Sequence, residues 1–188
     1  MSVSDERSLA SASILSTITQ KEHIMGPEDV MFGRRIRQNH ALEHATITIL
    51  SGYVPDLRVS ARSNSRGFTI FGDVDLGQLR RALDEALRRL QAGEAGLAIH
   101  PNCGTNLVVG ISLATIGTLL GLTSSHARTR VTSTAFSSVA GIMAARPLGQ
   151  FVQKHVTTLP DLAGVRVTKI FRRKILGMTL VEVRTVQE

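Results

Sequence analysis

The sequence predicts an α+β fold with a transmembrane helical hairpin inserted between its two β-hairpins. Two segments repeat hydrophobic residues at helical spacing, and two others alternate hydrophobic with polar residues as β-strands do. A third observation is an uncharged stretch, Thr105–Ser125, which is long enough as a helix to cross about 30 Å of hydrocarbon. The predicted order of elements is helix, β-hairpin, helix, two membrane helices, β-hairpin.

Length and composition indicate which classes of protein this chain can belong to. A chain of 188 residues is typical of one domain and can bury a core without disulfides, and its single cysteine, Cys103, excludes an internal disulfide. Tryptophan is absent and aromatic residues make up 4% of the chain, which argues against a base-stacking surface, so we expect no nucleic-acid partner. The net charge of +7 is compatible with an anionic surface as a partner.

The first predicted helix follows a tail rich in Ser and Thr. Residues 1–26 lack the basic start and continuous apolar run of a secretory signal, so we expect a flexible N-terminal tail. Proline and two acids at residues 27–29 suit a helix start, and Gly52 suits a stop after Leu50. Leu42 and Ile49 fall outside the main apolar face, which indicates that this helix is covered on more than one side.

A β-hairpin and a second helix complete the predicted α+β portion, residues 27–104. Residues 57–75 alternate around the turn signal of residues 64–67. Residues 76–92 form an amphipathic helix that is capped by Asp75 and ended by Gly93. Its opposite charges lie four residues apart and indicate a solvated face of ion pairs, for example Glu85 with Arg89.

The two predicted membrane helices occupy residues 105–152. The first is uncharged and rich in Gly, Ser and Thr, which suits close helix packing in lipid. The second, Val131–Val152, contains one charge, Arg146, followed by a proline, and a buried hairpin of a soluble protein is the alternative. Two spans place both termini on one side, which we expect to be cytoplasmic. Membrane lipids and a membrane protein are the candidate partners.

The remaining segment, residues 153–188, is predicted to form a C-terminal β-hairpin that packs on the α+β portion. Residues 165–171 and 178–186 alternate in the manner of strands. Arg172–Lys174 is interpreted as a solvated turn, which beside a membrane would contact anionic head groups.

The strongest chemical motif is His40-Ala-Leu-Glu43-His44. Histidines at i and i+4 share one side of a helix and can reach one metal ion, and Glu43 can deprotonate a water bound to that metal. A buried polar network is the alternative, since three titratable groups on a partly apolar face need partners.

A second candidate set lies just before the first span, in His100-Pro-Asn-Cys103. Imidazole and thiolate together suit Zn²⁺, and Cys103 at the start of a helix would have a lowered pKa. The predicted metal ligands are therefore His40, His44, His100 and Cys103. Four ligands would make a closed structural zinc site, whereas three ligands and water would leave a catalytic position with Glu43 as the base.

Three long strings resemble an uncharacterised bacterial family of small membrane proteins, domain-of-unknown-function family 6391. They are RQNHALEHATITIL, SRGFTIFGDVD and AIHPNCGTNLV, and the resemblance covers roughly residues 30–165. It implies a membrane-associated protein with helical spans after the His-Pro-Asn-Cys stretch, and it implies no activity. The narrower resemblance to inverzincin peptidases rests on the five residues of the HxxEH motif. Those peptidases use an acidic residue as their third metal ligand, and that residue has no counterpart here.

Two functions remain open on the sequence. One is a non-enzymatic assembly or scaffold factor in the membrane, in which the zinc site or polar network holds the first helix to the start of the span. The other is a membrane-anchored zinc-dependent hydrolase with Glu43 as the catalytic residue.

Overall fold

The computed structural model describes residues 33–123, 127–175 and 177–187. The predicted tail, 1–26, and the predicted helix start at Pro27 lie outside these residues. The helices are α1 (Arg34–Tyr53), α2 (Leu76–Gln91), α3 (Gly104–Leu122) and α4 (Ala127–Val152), and the strands are β1 (Ser60–Asn64), β2 (Gly67–Phe71), β3 (Val165–Ile175) and β4 (Met178–Gln187).

Helix α1 is the central element of the α+β portion. It is buried on more than one side, as predicted, and both Leu42 and Ile49 belong to the core. The predicted stop at Gly52 is wrong, because the helix continues to Tyr53 and the N–H of Val54 still bonds to the carbonyl of Leu50 at 3.0 Å. That bond closes a last helical turn without a glycine after the end.

The four strands form one antiparallel sheet in the order β1-β2-β4-β3. The two predicted hairpins are both present, and they join because β2 pairs with β4, with Phe68 opposite Val183 in the fully buried core. The predicted turn at Arg172–Lys174 is wrong, since these residues belong to β3 and pair with β4. The chain reverses nearer Gly177, whose φ of 80° is accessible to glycine at little cost.

Helix α2 matches its predicted signals. The Asp75 carboxylate accepts a hydrogen bond from the N–H of Gln78 at 2.8 Å, and Gly93 follows the helix with a φ of 92°. The predicted pair of Glu85 and Arg89 is present at 3.5 Å. The apolar face of α2 packs on α1 and completes the core beneath the sheet.

Helices α3 and α4 lie against each other through small residues. Gly117 lies against the backbone of Ser137, and Gly121 against that of Thr134, so closely that any added Cβ would overlap. The large apolar side chains point outward on both helices. They include Leu107, Val108, Ile111, Leu119, Leu120, Phe136, Ile142 and Met143.

Among the described helices, α3 alone is long and apolar enough to cross a membrane. Helix α4 contains Arg130, Arg146 and several Ser and Thr residues, which lower its mean hydropathy. Helices α3 and α4 thus pack against each other, while the predicted transmembrane hairpin that they would form stays a prediction.

Candidate metal centre

The site begins with two histidines on consecutive turns of α1. His40 and His44 are separated by four residues, so their rings lie on one side of the helix with centroids 4.2 Å apart. The loop before α3 brings Cys103 to the same place. One ligand atom from each of these three residues lies within 4.8 Å of the other two.

Backbone carbonyls determine which ring nitrogens face the centre of this cluster. His40 Nδ1 donates to the carbonyl of Thr157 at 3.0 Å, and His44 Nδ1 donates to the carbonyl of Ala98 at 2.7 Å. A carbonyl oxygen only accepts, so each Nδ1 carries the hydrogen and each Nε2 keeps a lone pair. The same arrangement orients metal-binding histidines in many proteins.

The free lone pairs are well placed for a metal ion. His40 Nε2 lies 3.5 Å from Cys103 Sγ. In a tetrahedral zinc site, an imidazole nitrogen and a cysteine sulfur that bind the same ion lie about 3.6 Å apart. His44 is 3% exposed, and its Nε2 has no hydrogen-bond partner within the described residues. Because an unpartnered buried nitrogen costs free energy, a ligand here would stabilise the fold.

Cys103 occupies the N-cap of α3. Its Sγ accepts a hydrogen bond from the N–H of Thr105 at 3.4 Å. Burial raises the pKa of this thiol, but the neighbouring His44 ring and the hydrogen bonds with Thr105 outweigh burial and lower the pKa below its ordinary value. The thiolate, which is the form that binds zinc, is therefore more accessible than in an ordinary cysteine.

His100 lies beside the cluster and outside the group of three close donors. Its Nδ1 accepts a hydrogen bond from the N–H of Asn102 at 3.2 Å, and its ring centroid lies 5.9 Å from that of His44. Burial, followed by the charge of His44, lowers the pKa of His100. The structure thus brings together three of the four predicted ligands and leaves His100 next to them.

Glu43 is placed on α1 toward strand β1. The residue is 7% exposed, and its carboxylate accepts a hydrogen bond from the hydroxyl of Ser63. Burial raises the pKa of Glu43, while the Ser63 hydrogen bond and the charge of His40 lower it by less. A carboxylate in such surroundings accepts a proton more readily than an exposed one.

All of these groups line one open cavity of about 720 Å³. One wall is α1, the second is the chain from Leu57 to Ser63, and the third is the loop that carries His100 and Cys103. The apolar part of the lining consists of Ile36, Ile47, Leu57 and Val59.

Sequence reasoning missed the residues that hold this loop. Gln153 is fully buried, accepts from the N–H of His100 at 3.0 Å and donates to the side chain of Asn106 at 2.7 Å. It begins a π-helical turn, Gln153–Thr157, that also supplies the carbonyl bound by His40. No local pattern marks these residues, because their role depends on contacts between segments more than 40 positions apart along the chain.

Comparison with known proteins gives a family and no activity. The family model described as "Domain of unknown function (DUF6391)" matches residues 35–170. An uncharacterized protein of Picosynechococcus sp. (strain ATCC 27264 / PCC 7002 / PR-6) is 34% identical over 152 residues, which cover 75% of this chain and 73% of the relative. No solved structure matches.

Proposed function

Since the chain belongs to the DUF6391 family, whose function is unknown, we propose a function from the site: a membrane-attached, zinc-dependent hydrolase with His40, His44 and Cys103 as metal ligands. One observation carries the proposal. The three-donor cluster opens onto a cavity of about 720 Å³ whose wall contains the buried carboxylate of Glu43.

The number of ligands favours catalysis over a purely structural site. Structural zinc sites are closed by four protein ligands, whereas catalytic sites have three and keep one position open. His100 is the nearest candidate for a fourth ligand, but its Nδ1 accepts a hydrogen bond from the N–H of Asn102, so the hydrogen of the neutral ring lies on Nε2 and neither nitrogen keeps a free lone pair. The cavity is also within the usual size range of small-molecule and substrate sites.

The proposed reaction is hydrolysis of an acyl bond. A zinc ion held by the three donors would supply Lewis-acid polarisation of the carbonyl and of the attacking water. Glu43 accepts a proton from the water as its oxygen bonds to the carbonyl carbon. The same carboxyl group then gives the proton to the leaving nitrogen or oxygen as the old bond breaks.

Attachment to a membrane is part of the proposal. Soluble helical pairs bury their large apolar residues, whereas α3 and α4 bury small residues and expose large ones such as Leu119, Phe136 and Met143. Arg130 lies in the first turn of α4, where a long basic side chain can reach the lipid head groups. We propose that both helices lie in the bilayer and that both termini are cytoplasmic.

A scaffold function remains the second candidate, on a separate observation. His40 and His44 bond to the backbone of Thr157 and Ala98, which belong to distant segments of the chain. A metal ion bound by these histidines and Cys103 would hold α1 to the π-helical turn and to the start of α3. In that case Glu43 and Ser63 form a structural hydrogen bond.

Metal analysis and one glutamate variant test the proposal. Detergent-purified wild type should contain about one zinc per chain by elemental mass spectrometry, the His40→Ala variant should lose it and the His100→Ala variant should keep it. Glu43→Gln should keep zinc content and thermal stability and lower cleavage of fluorescently labelled casein by about 10²-fold or more. His155→Ala, whose ring packs against Phe151, is the control.

The outcomes separate the two candidates. Wild type without zinc would rule out the metal centre. Zinc-loaded wild type that cleaves casein no faster than Glu43→Gln, with a lower melting temperature for the variant, would favour the scaffold.

A further inference from the structure

Strand β1 has a free edge that runs along the cavity. It is the outermost strand of the sheet, and β2 covers one of its edges. Five consecutive residues, 59–63, line the cavity, whereas a strand that faced it with one side only would contribute alternate residues. The cavity therefore lies along the backbone edge of β1.

Hydrogen bonds at the two ends of β2 show which of its residues bond to β4. The N–H of Thr185 bonds to the carbonyl of Arg66 at 2.9 Å, and the N–H of Gly72 bonds to the carbonyl of Thr179 at 3.0 Å. In an antiparallel pair, alternate residues make the bonds to one neighbour. Even-numbered residues of β2 thus bond to β4, and the odd-numbered ones bond to β1.

The register then identifies the free backbone groups of β1. Arg62 lies opposite Thr69, so the even-numbered residues of β1 bond to β2. The N–H and C=O groups of Ala61 and Ser63 point the other way, toward the open edge. Within the described residues, neither is bonded by another strand.

The free edge is connected directly to the catalytic groups. The hydroxyl of Ser63 donates to the Glu43 carboxylate, and both residues line the same cavity as the His40 and His44 rings. A chain bound along β1 would therefore pass between this strand and the three-donor cluster.

We infer that the free edge of β1 binds a polypeptide segment in extended conformation, so that the substrate class of the proposed hydrolase is a polypeptide. This inference rests on the proposed function for the cleavage step and stands on its own for binding. Alternating N–H and C=O groups match the backbone of an added strand, which a lipid ester does not offer. The apolar lining from Ile36, Ile47 and Leu57 suits apolar side chains of the bound segment.

Binding is tested with three fluorescent peptides on zinc-loaded Glu43→Gln, which is expected not to cleave them. The first is a ten-residue peptide of alternating Thr and Val, and the second is the same peptide with N-methyl groups at all of its valine amides. The third is N-methylated at all threonine amides instead and covers the opposite register. Since N-methylation removes the donors on one edge of the added strand, one methylated peptide should bind at least about tenfold more weakly by fluorescence anisotropy. Equal affinity for all three peptides, or binding of none, would overturn the inference.

A matched pair of variants tests the strand itself. Ala61→Pro removes a free N–H and leaves the bonds from β1 to β2, whereas Ala61→Val keeps that N–H with similar bulk. The proline variant should bind the unmodified peptide at least about tenfold more weakly than the valine variant. If the two variants have equal melting temperatures and bind the peptide with equal affinity, edge binding is contradicted. If the proline variant does not fold, the methylated peptides alone test edge binding.

Failure of the proposed function has a different signature. Wild type that binds the unmodified peptide but neither holds zinc nor cleaves it would refute the hydrolase and support edge binding. Zinc-loaded wild type that hydrolyses a nitrophenyl ester of a fatty acid, and binds none of the peptides, would support the hydrolase and overturn the peptide inference.

Discussion

At the scale of single residues, the candidate metal centre depends on which ring nitrogen of each histidine keeps a lone pair. Carbonyls of Ala98 and Thr157 hold the Nδ1–H groups of His44 and His40, so two Nε2 lone pairs converge on Cys103. The Nε2 of His44 is buried and has no hydrogen-bond partner within the described residues, whereas buried ring nitrogens are normally hydrogen-bonded, and this supports our proposal of a metal ligand here.

Zinc affinity should fall as the pH is lowered. A proton competes with zinc for the Cys103 thiolate, and the lowered pKa of this thiol moves that competition to lower pH without removing it. Competition titrations with a chromophoric chelator between pH 8 and pH 5 should show affinity decreasing with acid. Cys103→Ser should bind more weakly and with a shallower dependence on pH. An identical slope in both proteins would exclude the thiolate as a ligand.

Sequence reasoning reached part of this residue-scale description. The HxxEH spacing placed His40 and His44 on one side of a helix, because helical geometry alone decides that. Their approach to Cys103 and the contact of Glu43 with Ser63 depend on how a loop and a strand fold against α1, which no local spacing encodes. The sequence also grouped His100 with His40, His44 and Cys103, whereas the structure places it beside the three close donors, with its ring bonded by Asn102.

At the scale of elements, the α3–α4 pair is held by close backbone approach. A Cβ on Gly121 would lie 2.2 Å from the Cα of Thr134, and backbone cannot move aside as a flexible side chain can. Hydroxyl groups add to the contact, with Thr118 and Ser138 2.9 Å apart.

Gly121→Ala should therefore destabilise the protein, by about 1–3 kcal/mol. Gly52→Ala is the control, since a Cβ there meets nothing within 4 Å and alanine favours a helix by up to about 1 kcal/mol. Denaturant unfolding in detergent measures both changes. A neutral Gly121→Ala would show that the two helices separate easily.

The strands themselves were predicted from the sequence, but the end of β3 was not. The three bases Arg172–Lys174 suggested a solvated turn, yet they continue β3 because β4 offers pairing partners up to Met178. Arg172 also lies 3.5 Å from Asp73, which gives one of these charges a partner.

At the scale of the whole molecule, the candidate metal centre lies where the α+β portion meets the helical pair. Cys103 caps the start of α3, and the buried Gln153 directly follows the end of α4. The first residues of the helical pair and the residues after it therefore both reach the site. The outward apolar side chains of the pair then place the cavity next to lipid in our proposal.

The chain should sediment with membranes and stay there after washes in high salt and alkaline carbonate. Ile111→Asp, on the exposed face near the middle of α3, should lower the membrane fraction, because a charge at the centre of a span costs about 2.5–3.5 kcal/mol. Leu76→Asp, at the exposed first residue of α2, is the control and should sediment as wild type does. Immunoblots of the membrane pellet and the supernatant measure how much protein each fraction holds. Wild type in the supernatant would refute the membrane proposal.

The sequence by itself determined the order of helices and hairpins, the capping of α2 by Asp75 and the shared helix side of His40 and His44. Each of these follows from residues within a few positions of one another, through periodicity, capping and turn geometry. The tertiary structure alone decided that the hairpins join through β2 and β4, that Cys103 meets the histidines, and that β1 keeps a free edge along the cavity. Those features depend on which distant segments pack together, and packing is a property of the whole chain.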